Sequence, residues 1–369
     1  MGLTERECWF WLCSRPYLGV KSIDKLLGYF GTAGNIYYGR NGQYSQVKGL
    51  KSTVLKQLQK AGEKDEEQIR KSMERLDALG GRFVCRADRD YPERLRHIYD
   101  APAGLFYCGE LPEPRRPMIG IVGARSASSY GLAAAEYFAS VLSGMGFGIV
   151  SGLARGIDGA AHQGVLRQRA PEGKTWGILG CGLNICYPQE HFKIFRQMKK
   201  RGGIISEYPL DSVPEAWHFP MRNRIISGLA DGILIIEARE RSGALITADM
   251  GLEQGKNIYA LPGPFNSALS AGCHHLIQSG AKLVFRPEDI SEDYVEMMGG
   301  MPVASEDLKL PLDNSEQLVY ASLSLNPKDV NTISAECGRP LAETLHILLN
   351  LELKGMVRQM GKNLYIQKL

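Results

Sequence analysis

Between residues 119 and 285 the chain alternates short, unbroken apolar runs with longer helical patterns. The runs are IGIVGA (119–124), FGIVSG (147–152), TWGILGC (175–181), GIISEY (203–208), GILIIEA (232–238), NIYALPG (257–263) and KLVF (282–285). They are rich in Ile and Val and mostly end in Gly or another small residue. Strands covered by helices on both faces have this pattern, whereas a half-solvated strand alternates. Stretches of helical length lie between them, as in YGLAAAEYFASVLSGMG (130–146). The order βαβαβ predicts an α/β fold with a doubly wound sheet over about 81–295.

The flanks read differently. Residues 1–80 are helical in pattern and carry a weak repeat, GVKSIDKLL (19–27) and GLKSTVLKQL (49–58). Glycine turns before short helices can aim N–H groups at a phosphate, as helix-hairpin-helix units do, or can simply cap an αα-hairpin. Both readings stand at this point. Residues 296–314 are polar, acidic and broken by Pro and Gly, and read as a linker. In 315–369, helical patterns at 316–323, 329–337 and 340–354 precede a strand, a Gly361-Lys362-Asn363 turn and a second strand. That order predicts a winged helix.

Composition narrows this picture little. The chain has 369 residues, 44% hydrophobic and 23% charged, as expected of a globular protein with two or three domains. Its formal net charge of +4 permits a polyanionic partner without requiring one. No apolar run has the length of a membrane span, and the N-terminus lacks the basic start of a signal peptide, so a cytoplasmic protein is expected. Eight cysteines without a CxxC pair point to reduced thiols and away from a zinc site. No metal or cofactor is expected.

In a doubly wound sheet, ligands sit at the carboxyl ends of the strands. Six arginines follow predicted strands or precede predicted helices there: Arg125, Arg155, Arg222, Arg224, Arg239 and Arg241. They alternate with Gly123, Ser126, Ser128, Gly152, Asn223, Ser242, Gly243 and Thr247. Helix N-termini offer unpaired N–H donors, and arginine adds a planar fork for phosphate oxygens. A dinucleotide is a poor fit. GARSASSYG (123–131) is not GxGxxG, and no acidic residue closes the second strand to hold a ribose. A chain of phosphates fits better. Asp158 and His162 share a helix face at i and i+4, yet two groups make a weak metal or catalytic site, and the structural reading is preferred.

These blocks, taken in order, resemble the DNA-processing protein A family (DprA, also called Smf). The matching segments are IVGARSASSYG, SGLARGIDGAAH, LGCGLNICYP, ISEYP, FPMRNRIISGLADGILIIEA, SGALITA, LPGP and GCHHLIQSGA. YPERLRHIYDAPAGLFYCG resembles the start of the family's extended Rossmann domain. The flanks are similar to its SAM-like N-terminal domain and optional C-terminal winged helix. The resemblance implies single-stranded DNA binding without catalysis, protection of incoming strands in natural transformation, help in loading the RecA recombinase, and a homodimer. It places the DNA pocket at Gly123 and Arg125, with Arg222, Asn223 and Arg224. Lys256 and Cys181 depart from the family pattern without disturbing it.

Two rivals were weighed. Nucleotide phosphoribohydrolases have a segment similar to SGLARGIDGAAHQGVL, but their second motif, PGGxGTxxE, is replaced here by RSGALITADMGLE, leaving Asp249 or Glu253 as a poorly matched base. A transcription factor reading through the winged helix finds few base-reading side chains in PLAETLHILLNLELK. In GCHHLIQSGAKLVF, His275, Leu276 and Ile277 are expected to form a two-fold contact, with core packing as the alternative.

Overall fold

The computed structural model describes residues 2–59, 66–168, 172–297, 313–353 and 356–367. Six helices come first: α1 (Glu5–Cys13), α2 (Val20–Phe30), α3 (Ala33–Tyr38), α4 (Asn41–Tyr44), α5 (Ser52–Gln59) and α6 (Glu66–Ala78). Thr4 and Glu7 close a capping box on α1, which satisfies two of the N–H groups a helix start leaves open. Glu5 accepts from the N–H groups of Ala33 at 2.7 Å and Gly34 at 2.8 Å, and so caps α3. In the repeat, Gly19 is the N-cap of α2, and Gly49, at φ +75°, precedes α5. The two units touch, because Lys25 Nζ donates to the Gly49 carbonyl at 2.8 Å.

Nine strands form one mixed sheet: β1 (Gly81–Cys85), β2 (Gly104–Gly109), β3 (Met118–Gly123), β4 (Gly148–Ser151), β5 (Lys174–Leu179), β6 (Gly202–Ser206), β7 (Gly232–Ile236), β8 (Asn257–Ala260) and β9 (Lys282–Leu283). Their order is β1-β2-β6-β5-β4-β3-β7-β8-β9. From β6 to β9 all neighbours are parallel, and these seven strands coincide with the seven apolar runs. The pairs β1–β2 and β2–β6 are antiparallel, so two strands extend the expected parallel sheet at one edge. The chain winds outward from β3 to β6, then returns to place β7 on the other side of β3. The switch point therefore lies between β3 and β7.

The sheet's helices are α7 (Glu93–Arg96), α8 (Ser129–Gly144), α9 (Ile157–Arg167), α10 (Phe192–Met198), α11 (His218–Leu229), α12 (Gly243–Glu253), α13 (Ala271–Gln278) and α14 (Glu288–Ser291). α8 and α9 cover one face through Phe138, Leu142, Ile157 and Val165 against Ile119, Ile121, Ile149 and Leu234. α11, α12 and α13 cover the other through Ile225, Leu229, Ala248 and Cys273 against Val122, Val150, Ile178 and Ile235. The N-terminal helices share a core with the sheet: Trp11, Phe10 and Ile36 cluster with Phe83, Phe106 and Leu179. Ile290 and Tyr294 also belong to the sheet's core, so PEDISEDY (287–294) packs as part of the sheet domain. Most of the expected linker, 298–312, lies outside the described residues.

The C-terminal unit has α15 (Asn314–Ser322), β10 (Lys328–Asp329), α16 (Val330–Cys337), α17 (Leu341–Leu353), β11 (Val357–Gly361) and β12 (Leu364–Gln367). Its three strands, ordered β10-β12-β11, and three helices make a winged helix with a core of Val319, Ile333, Leu348, Leu351, Val357 and Tyr365.

Candidate nucleic-acid interface

At the switch point, three loops approach so closely that backbone meets backbone. A Cβ on Gly123 would run into the Ile236 carbonyl, and one on Gly156, at φ +72°, would run into the Ala124 carbonyl. Only glycine fits either place. Ala124 N–H donates to the Glu237 carbonyl at 2.7 Å, and Ile157 N–H donates to the Ala124 carbonyl at 3.2 Å. The loops after β3, β4 and β7 are thus tied together, and Arg125 and Ser126 stand exposed at their crest.

Two of the expected anion-binding donors are already engaged by the chain's own carboxylates. Ser128 is the N-cap of α8, with its Oγ accepting from Gly131 N–H at 3.1 Å. Its hydroxyl donates to Glu237, and its N–H donates to Glu237 Oε2 at 2.8 Å. Glu237 is buried and holds φ at +51°. The Glu237 side chain therefore occupies the helix N-terminus, where Ser128 was expected to meet a phosphate. Gly152 is likewise engaged within the chain. Its N–H donates to Asp158 at 3.1 Å, and its carbonyl accepts from Arg222 at 2.6 Å.

SGLARGIDGAAH therefore forms a wall with the Asp158 carboxyl and the Arg222 guanidinium buried behind it. Burial pushes the Asp158 carboxyl up and the Arg222 guanidinium down from their ordinary values, each partly offset by the other's charge. His162 points elsewhere: its Nδ1 lies 2.7 Å from Thr175 Oγ1, whose hydroxyl donates to the Ile149 carbonyl at 3.0 Å. That network assigns the proton to Nδ1. Burial, with His191 and Arg222 nearby, lowers its pKa to about 3, so the ring is neutral. Asp158 and His162 thus have different partners.

The six arginines divide into distinct environments. Arg222 and Arg224 lie inside α11, which begins at His218, and not ahead of it as the sequence suggested. Arg222 is buried beneath the loops and also donates to the Ile178 carbonyl. Arg224, 2% exposed, donates to the Asp100 carbonyl at 2.7 Å and pairs with Glu207 and Asp100. It ties α11 to the β1–β2 side of the sheet and does not reach the open edge. Between them, Asn223 accepts from Arg222 Nε at 3.0 Å and donates to the Gly243 carbonyl at 3.4 Å. Arg155 is exposed and forks onto Glu190 at 2.7 and 2.9 Å. Arg239 and Arg241 are exposed, and neither pairs with a carboxylate among the described residues. Beside them, Ser242 is the N-cap of α12, Gly243 is exposed, and Thr247 is buried, with its hydroxyl on the Gly243 carbonyl at 3.4 Å.

Two aromatic residues missed in the sequence complete the arrangement. The Arg125 guanidinium lies 5.3 Å from the Phe219 ring centroid, and that of Arg222 lies 5.8 Å from it. The Tyr187 ring follows at 5.5 Å, tilted by 37°. Phe219 is half-buried and Tyr187 exposed. The available signal was an aromatic residue inside each basic or glycine-rich block, HFPMRNR and LGCGLNICYP.

The three residues expected at a two-fold contact have different environments. Leu276 is buried in the sheet's own core, because α13 lays one face on β8. Ile277 packs partly against the same cluster, and His275 is exposed.

A doubly wound sheet with no dinucleotide fingerprint, the N-terminus of α8 filled by Glu237 and two arginines set around an aromatic ring together define a Rossmann-like protein with a ring-bearing carboxyl edge. The chain belongs to the family of DNA recombination-mediator protein A, whose model matches residues 82–295. The DprA winged helix domain model matches 303–362. The chain is 40% identical over 273 residues to Protein Smf of Escherichia coli K12, covering 72% of each chain. It is similar to the X-ray structure of DNA processing protein A from Streptococcus pneumoniae (TM-score 0.68, 33% identity, 79% of this chain and 99% of that one). It is also similar to the Helicobacter pylori DNA processing protein A structure that concerns a single-stranded DNA binding mode (TM-score 0.52, 25% identity, 58% and 96%).

Proposed function

We propose that this protein binds single-stranded DNA at the switch-point edge, with little sequence preference and without catalysing a reaction. One observation carries the reading: the exposed Arg125 lies over Phe219, with Tyr187 next to it. Cations that take phosphates, set beside rings on which bases stack, suit a single strand whatever its sequence. Arg125, Ser126, Arg155, Arg239, Arg241 and Gly243 form the contact rim. Gly123, Arg222 and Asn223 hold it in place. A duplex keeps its bases stacked inside and gains little from the rings.

Family membership supports the wider role, in which the protein protects incoming strands and helps load RecA during natural transformation, as a cytoplasmic homodimer. Asp158 and His162, each occupied by structural partners, support a role without catalysis. No helix among the described residues is long and apolar enough to cross a membrane. A mobility shift with single-stranded against duplex DNA, run beside a nucleotide-hydrolysis assay, tests the central reading. Preference for the single strand without hydrolysis is expected; ribose phosphate release lost in Asp249→Asn or Glu253→Gln would replace it with the hydrolase. RecA filament assembly on coated single strands, followed with and without the protein, tests the loading role.

A further inference from the structure

The loop after β8 holds a ring that the reading above does not use. Phe265 is 93% exposed. The loop that carries it is ordered: Ser267 N–H donates to the Pro264 carbonyl at 3.0 Å, and Ser270 N–H donates to the Ser267 carbonyl at 3.0 Å. The Tyr130 hydroxyl, from the first turn of α8, donates to the Pro262 carbonyl at 2.9 Å. Single exposed apolar side chains are ordinary on a protein surface, so exposure alone says little. Position says more.

β7 lies next to β3, and β8 next to β7. The loops bearing Arg125, then Arg239 and Arg241, then Phe265 therefore follow one another along the carboxyl edge. Strand spacing of about 4.8 Å separates the roots of the first and last by roughly 10 Å, the length of about three stacked bases at ~3.4 Å each. The helix that the last loop leads into, α13, touches the loop after β7. Gly272 N–H donates to the Ala238 carbonyl at 2.7 Å, and a Cβ on Gly272 would also press on the Arg239 carbonyl. Glu240 is exposed between the two arginines, and the segment keeps a net positive charge.

We propose that Phe265, with Arg239 and Arg241, forms a second stacking and phosphate subsite for the strand held at Arg125 and Phe219. The strand then crosses the switch point from the β5 side to the β8 side. Rings flank the cations along that path: Tyr187 and Phe219, then Arg125, Arg239 and Arg241, then Phe265. The inference rests on the single-strand reading above and extends it.

The test is the affinity of the full chain for a ladder of oligothymidylates at one salt concentration, with Phe265→Ala, Phe265→Trp, Arg239→Ala/Arg241→Ala and Arg125→Ala. On the shortest oligomers that bind, Phe265→Ala should match the parent. On longer ones the parent should gain affinity and Phe265→Ala should fall about five- to tenfold behind, the lower end of what one stacked base contributes. Phe265→Trp should restore the gain, and its added fluorescence should be quenched by long oligomers only. The double arginine variant removes cations that the rim and the second subsite share, and should lose more affinity and salt dependence on long oligomers than on short ones. Phe265→Ala equal to the parent at every length overturns the subsite. So does an equal loss at every length, or a change in sedimentation that makes Phe265 part of a contact between copies. Arg125→Ala separates the two levels. If it weakens all lengths while Phe265→Ala weakens none, only the second subsite fails. If it leaves every length unchanged, the switch-point reading fails and the extension fails with it.

Discussion

Arg125 is exposed on its loop, over a ring, and unlike Arg222 and Arg224 it has no place in the interior. Its replacement by Ala should weaken single-strand binding evenly across sequences and leave the fold intact. Arg222 is the opposite case: Arg222→Met leaves the buried Gly152 and Ile178 carbonyls without their donor, and should cost about 3 kcal/mol of stability in a denaturant titration. His162 supplies a pH dependence. Its pKa is lowered to about 3 in the folded chain by burial, against about 6.5 unfolded. The unfolded chain therefore binds the extra proton between those values, and stability falls as the pH drops through that window by up to about 1.4 kcal/mol per pH unit. His162→Gln should flatten that part of the profile. At this scale the sequence located the arginines but could not sort them. Which guanidinium turns inward depends on carboxylates far along the chain, Asp100 and Glu207 for Arg224. Engagement of Ser128 by Glu237 was hidden for the same reason.

The elements follow the physics of their contacts. β3 and β7 run so close that Gly123→Ala must part them; a loss of about 3 kcal/mol or more is expected by thermal unfolding, since overpacked backbone cannot yield as a flexible side chain does. On α13, Leu276→Arg places a charge in the core and should lower the melting temperature sharply instead of giving a stable monomer. Seven strands were legible because buried parallel strands are continuous apolar runs. β1 and β2 were not, because RFVC and GLFYCG sit beside charged segments, and their pairing is set by the β6 edge. α11 starts two residues before Pro220, which sits in its first turn, where proline is tolerated.

Across the whole molecule, Arg125, Arg239 and Arg241 lie open on the carboxyl edge of one sheet, while two basic residues of the winged helix pair within it. Lys328 pairs with Glu336, and Arg339 with Glu343. Leu341, Leu345 and Leu349 form an exposed stripe on α17 where a base-reading helix would carry polar groups. Removing residues 313–369 should therefore reduce single-strand affinity by at most about 1–2 kcal/mol, the scale of one or two phosphate contacts. The central claim is that the switch-point edge is the binding surface, and it is tested most directly by salt dependence. Affinity of the full chain and of Arg125→Ala for one labelled single strand would be measured over a range of salt concentrations. Each phosphate contact adds roughly −0.7 to the slope of log affinity against log salt. The account predicts weaker binding and a slope shallower by about one such step in the variant. An unchanged affinity and slope would contradict it.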